Sequence, residues 1–332
     1  MILFVLFFGD YGAPHANGLL VYATELLGWA SDSNRTIDTL WPALLPVGVT
    51  SVALVCVAGL WRHCVIDEES VEQLIPTHGS RMWHGLVLIC LALTWVPPMG
   101  ALLAHLGSRS VFLNAVRTYW RDIIATFAVA LAAAAIVTLA AAGVAAYGRG
   151  RRFALAMALL FGALPGAVVG EALIAAYNHP LTAVVYDDWP IVVLAYAARF
   201  GWIGMLASTL IASAARGVVA DQARTDGASE AAVVTNVLLP SHAPLVASVV
   251  AVTTVLAIGD VAASTLVRIP AFSPIAHVII EKFHRFEDGM LISLSFILVA
   301  VAIGCGAVFF LIQRHRLARE HAVLRQGNRI SF

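Results

Sequence analysis

Residues 123–147 read IIATFAVALAAAAIVTLAAAGVAAY. The run holds no charged side chain. A helix needs about 20 apolar residues to cross roughly 30 Å of hydrocarbon, and this stretch is long enough without interruption. Six further runs have the same character: 41–61, 83–105, 153–175, 189–213, 242–268 and 290–312. Together they predict an all-α, polytopic transmembrane helical bundle with seven spans. Composition agrees. Of 332 residues, 60% are hydrophobic and 12% charged, and the mean hydropathy is +0.86. Soluble domains carry about 25% charged residues. So few charges exclude an ordinary soluble enzyme and a disordered chain. A formal net charge of zero excludes a nucleic-acid partner, which needs a basic field. Cys56, Cys64, Cys90 and Cys305 contain no CxxC pair, so they predict neither a disulfide framework nor a zinc site. Residues 1–8 (MILFVLFF) are too short to cross and lack the basic region of a signal peptide.

Arginine placement orients the bundle, because loops on the cytoplasmic side collect positive charge. The clusters Arg149, Arg151, Arg152 and Arg314, Arg316, Arg319, Arg325, Arg329 fall on one side of a seven-span arrangement. They predict a cytoplasmic C-terminus, with 214–241 facing the cytoplasm and 176–188 and 269–289 facing out. Arg109, Arg117 and Arg121, in an expected outer loop at 106–122, count against that bias.

An internal repeat organises the chain. Residues 8–13 read FGDYGA and residues 258–263 read IGDVAA, each followed at similar distance by an apolar span. The match suggests a duplicated unit. On that reading 1–61 is the C-terminal remnant of a first unit, an outer loop plus one span. Residues 62–82 are a cytoplasmic linker, 83–316 a complete six-span unit, and 317–332 a basic cytoplasmic tail. The apolar start at Met1 fits a truncated or split reading frame.

The longest polar interruption on the inner side of the second unit is 220–240, ADQARTDGASEAAVVTNVLLP. Helix formers flank Gly227, and an apolar stripe ends at Pro240. A glycine between two short helices lets the backbone turn sharply. The result is an L-shaped elbow on the membrane face. Such an element either docks in a partner's groove or lies unpartnered at the interface.

This loop resembles the EAA loop of binding-protein-dependent ABC importer permeases, roughly EAA-x-x-DGA followed after about eight residues by x-x-LP. Asp221, Gln222 and Ala223 stand where the family has E-A-A, with Asp for Glu and Gln for Ala. Asp226, Gly227 and Ala228 match DGA, and Leu239 and Pro240 match LP at the expected distance. The closest likeness is to the ferric-iron type with two fused units. Leu164-Pro165-Gly166, YAARF from Tyr196 to Phe200, and the GD stretch from Gly259 to Pro274 resemble its features. The resemblance implies a type I ABC importer permease fold in the second unit. It implies a bacterial inner-membrane location and coupling through Asp221, Ala223, Asp226, Gly227, Ala228, Leu239 and Pro240 to an ABC ATP-binding subunit. It also implies an extracytoplasmic solute-binding protein, and a second permease chain or a homodimer. The chain would bind no cofactor, and ATP would be hydrolysed by the partner.

Arg199, Glu171 and Asp260 lie inside apolar runs. An ionisable group there costs at least ~2.5 kcal/mol on insertion scales, so it faces the bundle interior or a cavity and finds a partner. At ~1.5 Å rise per residue, Arg199 lies roughly 15 Å and Asp260 roughly 12 Å below the outer ends of their spans, whereas Glu171 is about 6 Å down. Depth therefore favours an Arg199–Asp260 pair. It either pins two helices or lines a translocation path. Pro165-Gly166 can break a span, and Pro97-Pro98 can kink another. His179, Asp187, Asp188, His277 and His284 fall in outer loops without metal-ligand spacing. There is no GxxxxGK[ST] stretch and no Ser/His/Asp or Cys/His spacing for catalysis, so no catalytic residue is assigned and energy comes from outside the chain. The rival readings are a secondary transporter using Arg199, Asp260 and Glu171 as an ion relay, and the inactive half of a split permease.

Overall fold

The computed structural model describes residues 80–106, 108–146, 164–214, 218–267, 269 and 273–330, with isolated positions 21, 24, 25, 28, 48 and 162. Its regular elements are helices: α1 Ser80–Ala104, α2 Arg109–Ala146, α3 Gly166–Tyr177, α4 Ala183–Tyr186 and α5 Pro190–Ala214. They continue as α6 Val218–Thr225, α7 Glu230–Ser241, α8 Ala243–Gly259, α9 Ala262–Leu266, α10 Ile275–His284 and α11 Asp288–Ile330. Among the described residues, three helices are long and apolar enough to cross a membrane, and a fourth span arises if the bent pair α7–α8 counts as one. The spans expected at 41–61 and over most of 153–163, and the unit at 1–61, lie outside the described residues.

Apolar side chains cover the outside as well as the inside. On α1, Leu88, Leu93, Trp95 and Val96 are exposed, and on α11 so are Ile303, Val308, Phe310 and Leu311. In water this would be an aggregation hazard; against lipid tails it is the solvent match a membrane bundle needs. The interior is built on small residues. Ala115, Ala130, Ala133, Ala134, Ala141 and Ala145 of α2 are all buried, and α2 packs most extensively on α5 and α8. Small residues let helix backbones approach closely where no hydrophobic effect drives association. Gly204 of α5 marks the tightest approach: a Cβ placed there would come within 2.7 Å of the Val137 carbonyl oxygen and of Val137 Cγ1.

Several sequence expectations are corrected. The expected 106–122 loop is largely helix, because α2 begins at Arg109 and carries Arg117 and Arg121 with it. At ~1.5 Å per residue α2 is about 57 Å long, so one end stands beyond any hydrocarbon layer and its arginines need no loop. Within the expected tail at 317–332 the chain is helical, since α11 runs unbroken to Ile330. The linker expected at 62–82 is described only from Ser80, where α1 already begins. The 242–268 run is not one unbroken helix: α8 ends at Gly259, Asp260 takes an extended conformation (ψ 126°), and α9 restarts at Ala262.

The segment leading into α10 is tied to α2. Ile275 N–H donates to Thr126 Oγ1 at 3.1 Å in a buried site, Thr126 Oγ1 donates to Asp122 O at 2.7 Å, and Ser273 N–H donates to Asp122 Oδ1 at 3.4 Å. Thr126→Val removes the acceptor and leaves a buried N–H unmatched. The expected cost is about 1–3 kcal/mol, seen as a lower unfolding midpoint in detergent, with Thr126→Ser close to wild type.

Candidate functional site: an elbow and a junction of broken helices

The elbow forms where the sequence expects it, and local chemistry explains why. α6 stops in a Schellman arrangement. Asp226 N–H donates to Gln222 O (2.9 Å), Gly227 N–H to Arg224 O (3.0 Å), and Ala228 N–H reaches back to Ala223 O (3.0 Å). That closure needs a left-handed residue, and Gly227 sits at φ +89°. One residue past Ala228, the next helix starts. Ser229 is extended (φ −66°, ψ 155°) and its hydroxyl accepts Ala232 N–H at 3.2 Å, the usual N-cap bond. D-G-A-S is thus a helix stop and a helix start in four residues.

α7 contains one π-helical turn over Val234–Leu238, with Leu239 N–H bonded to Val234 O. Val233, Val234 and Leu238 are buried together with Ala145 of α2, Ile211 of α5 and Ala220 of α6, and Ala223, Ala228 and Leu239 pack on the same cluster. The apolar stripe therefore faces this protein's own helices. Asp221, Asp226, Gly227, Glu230 and Pro240 remain exposed. α7 then meets α8 at an 80° bend flanked by Pro240 and Pro244, residues that supply no backbone N–H to continue a ladder.

A side-chain clasp spans the turn. Arg224 Nε and Nη2 donate to the two Glu230 oxygens at 2.8 and 3.1 Å, and Arg224 Nη1 donates to Asp221 Oδ1 at 2.8 Å. The Glu230 hydrogen bond raises the Arg224 pKa above its ordinary value, and the same bond holds the Glu230 carboxyl below the usual carboxylate range. Sequence reading missed Arg224, Ser229 and Glu230. Ser followed by Glu is a legible helix-start signal. The Arg224–Glu230 pair has no helical spacing, so no periodicity could reveal it.

Deeper in the bundle two short helices start side by side, α9 of them after the helix break that follows α8. α3 starts at Gly166 after the extended Pro165 (ψ 148°), and α9 starts after Asp260. The two short helices touch through glycine: a Cβ on Gly166 would lie 2.9 Å from Ala262 Cβ, and one on Gly170 would lie 2.9 Å from Leu266 Cβ. The breaks free backbone groups, which inside a membrane must be satisfied by protein. Arg199 Nη1 donates to Leu164 O, and the Asp260 carboxylate accepts Ala263 N–H at 3.1 Å. Arg199 and Asp260 thus each gain a backbone partner at a helix break, a role the depth argument for a pair did not foresee. Tyr196 is fully buried one turn from Arg199, and its hydroxyl has no hydrogen-bond partner among the described residues. Glu171 is 7% exposed on α3. Further along α5 and α8, Trp202 Nε1 and the hydroxyls of Thr253 and Thr254 are buried without a hydrogen-bond partner among the described residues.

The groups expected in outer loops are dispersed, and His277 and His284 lie on helix α10 rather than in a loop. His277 Nδ1 lies 3.3 Å from Thr265 Oγ1, and His284 Nδ1 lies 3.0 Å from Ile280 O. Among the described residues no three His, Cys, Asp or Glu side chains converge on a point that could hold a metal ion. Compared with protein-family models and with curated proteins, the chain matches none.

Proposed function

We propose that the chain is the membrane-spanning permease subunit of an ATP-driven ABC importer. The observation that carries this reading is the elbow. Its apolar side is anchored to α2 and α5, its polar side carrying Asp221, Asp226 and Glu230 is exposed, and it runs through a fixed bend into α8. That is the construction a coupling element needs: a rigid knob outside and a lever inside. ATP-driven closure of a partner ATPase would move the elbow, α8 would carry the motion to the break at Asp260, and the α3–α9 pair would shift with it. The remainder of the reading is a seven-span chain of the bacterial inner membrane with a cytoplasmic C-terminus. It works with a second permease chain or a copy of itself. An extracytoplasmic binding protein delivers a small solute, ferric iron by resemblance.

The test is co-purification of the tagged chain with a co-expressed ABC ATPase, followed by uptake in proteoliposomes. Stoichiometric retention and ATP-dependent uptake are expected. A folded chain that retains no ATPase would overturn the reading.

The junction of broken helices favours a second reading, a secondary transporter, because discontinuous helices and unpartnered polar groups also build ion-coupled sites. Uptake driven by an ion gradient alone, abolished by Asp260→Asn, would establish it in place of the first.

A further inference from the structure

We infer that Arg224 is the positioning residue that sets the angle of the elbow, by clasping Glu230 across Gly227 before any partner binds. The inference rests on the coupling role proposed above but concerns a group that the loop resemblance does not assign.

The backbone of the turn determines that α6 stops and α7 starts. The angle between the two axes depends in addition on the contacts on either side of the turn. Among the described residues nothing lies within 4 Å of a Cβ at Gly227. The inner side is braced by Ala223 and Ala228 against the buried cluster. The outer side is braced by the charged clasp. Arg224 is well suited to that work. Its planar fork engages both Glu230 oxygens, and its third nitrogen holds Asp221 one turn back on α6. A bidentate fork fixes direction as well as distance. One residue thereby joins the end of α6 to the first residue of α7. Isolated surface ion pairs contribute little to stability. The quantity at stake here is an angle, and a partner groove that accepts one angle would lose affinity as the angle spreads.

The pH dependence follows in sign. Glu230 is held ionised by Arg224, so its pKa in the clasp lies below its ordinary value. The clasp is complete above that ordinary value and is lost only as pH falls through the lowered one. Asp221 also faces Arg224, while the neighbouring charge Asp226 is exposed at the turn. The elbow is therefore expected to hold its angle through the neutral range and to loosen only in strong acid or high salt.

The experiment places spin labels at the exposed Gln222 and Asn236 and measures the distance distribution between them in the full chain in detergent. Wild type is expected to give one narrow peak. Arg224→Ala and Glu230→Gln should broaden it, Arg224→Lys should broaden it less, and a swapped variant (Asp221→Asn, Arg224→Glu, Glu230→Arg) should narrow it again. An unchanged width in Arg224→Ala overturns the inference. In parallel, Arg224→Ala should weaken retention of the ABC ATPase at least tenfold with the unfolding midpoint unchanged, and equal retention also overturns it. If the wild type itself retains no ATPase, the importer reading fails, and the clasp is judged on the distance distribution alone.

Discussion

Gly204→Val is expected to cause the largest loss of stability of any single change considered. An added Cβ at Gly204 would meet the Val137 carbonyl oxygen at 2.7 Å and Val137 Cγ1 at the same distance. A flexible side chain could swing aside, but a helix carbonyl cannot, so α2 and α5 must separate. These two helices share the most extensive contact in the bundle, and Ala133, Ala134 and Ala141 of α2 are buried in it or beside it. Overpacking a close-packed site costs typically 1–3 kcal/mol and occasionally more. A backbone clash in the main interface belongs at the upper end, about 3 kcal/mol. Gly201, one turn away on the same helix, is the control. Among the described residues nothing lies within 4 Å of a Cβ there, and alanine is the better helix former by about 1 kcal/mol. Thermal unfolding in detergent should therefore separate the two: a marked fall for Gly204→Val, and no fall for Gly201→Ala. Equal midpoints would refute the close approach.

The second large effect concerns the elbow and leaves the bundle alone. Gly227 has φ +89°, a region that costs a non-glycine residue about 1–3 kcal/mol. Because the site is open, the cost is conformational rather than steric. Asparagine is the next best residue at such a helix end, whereas a β-branched side chain is the worst. The expected order of ATPase retention is Gly227, then Gly227→Asn, then Gly227→Ala, then Gly227→Val, with the last at least tenfold below wild type. Gly227→Asp, which adds a charge beside Asp226, should also fall. The unfolding midpoint should fall by no more than this conformational cost, so a loss of retention larger than that reports the turn itself. A flat series in retention would mean that the turn does not govern docking.

The sequence was read well where structure depends on neighbours along the chain. The apolar runs at 83–105, 189–213 and 290–312 became α1, α5 and the membrane-length part of α11. The D-G-A-S stretch became a turn because a left-handed glycine and a capping serine act within a few residues. It was read less well where structure depends on residues far apart. A run of apolar letters from 242 to 268 looked like one span, yet Gly259-Asp260 breaks it, since a carboxylate can cap a new helix as readily as it can end an old one. The arginines at 109, 117 and 121 looked like loop residues, yet they lie on α2, since long side chains tolerate a helix that outgrows the hydrocarbon layer.

By itself, the sequence determined that this protein is helical, that several of its helices suit lipid rather than water, and where the elbow turns. Hydropathy and turn chemistry are local, so they can be read from one chain. Only the tertiary structure decided which face of the elbow is spent on α2 and α5, and that Arg224 reaches Glu230. It also decided that Arg199 serves the carbonyl of Leu164, 35 residues earlier, and that Gly204 sits against Val137. These depend on helices meeting in space, where the need to satisfy freed backbone groups and to bring backbones close selects partners that no spacing along the chain records.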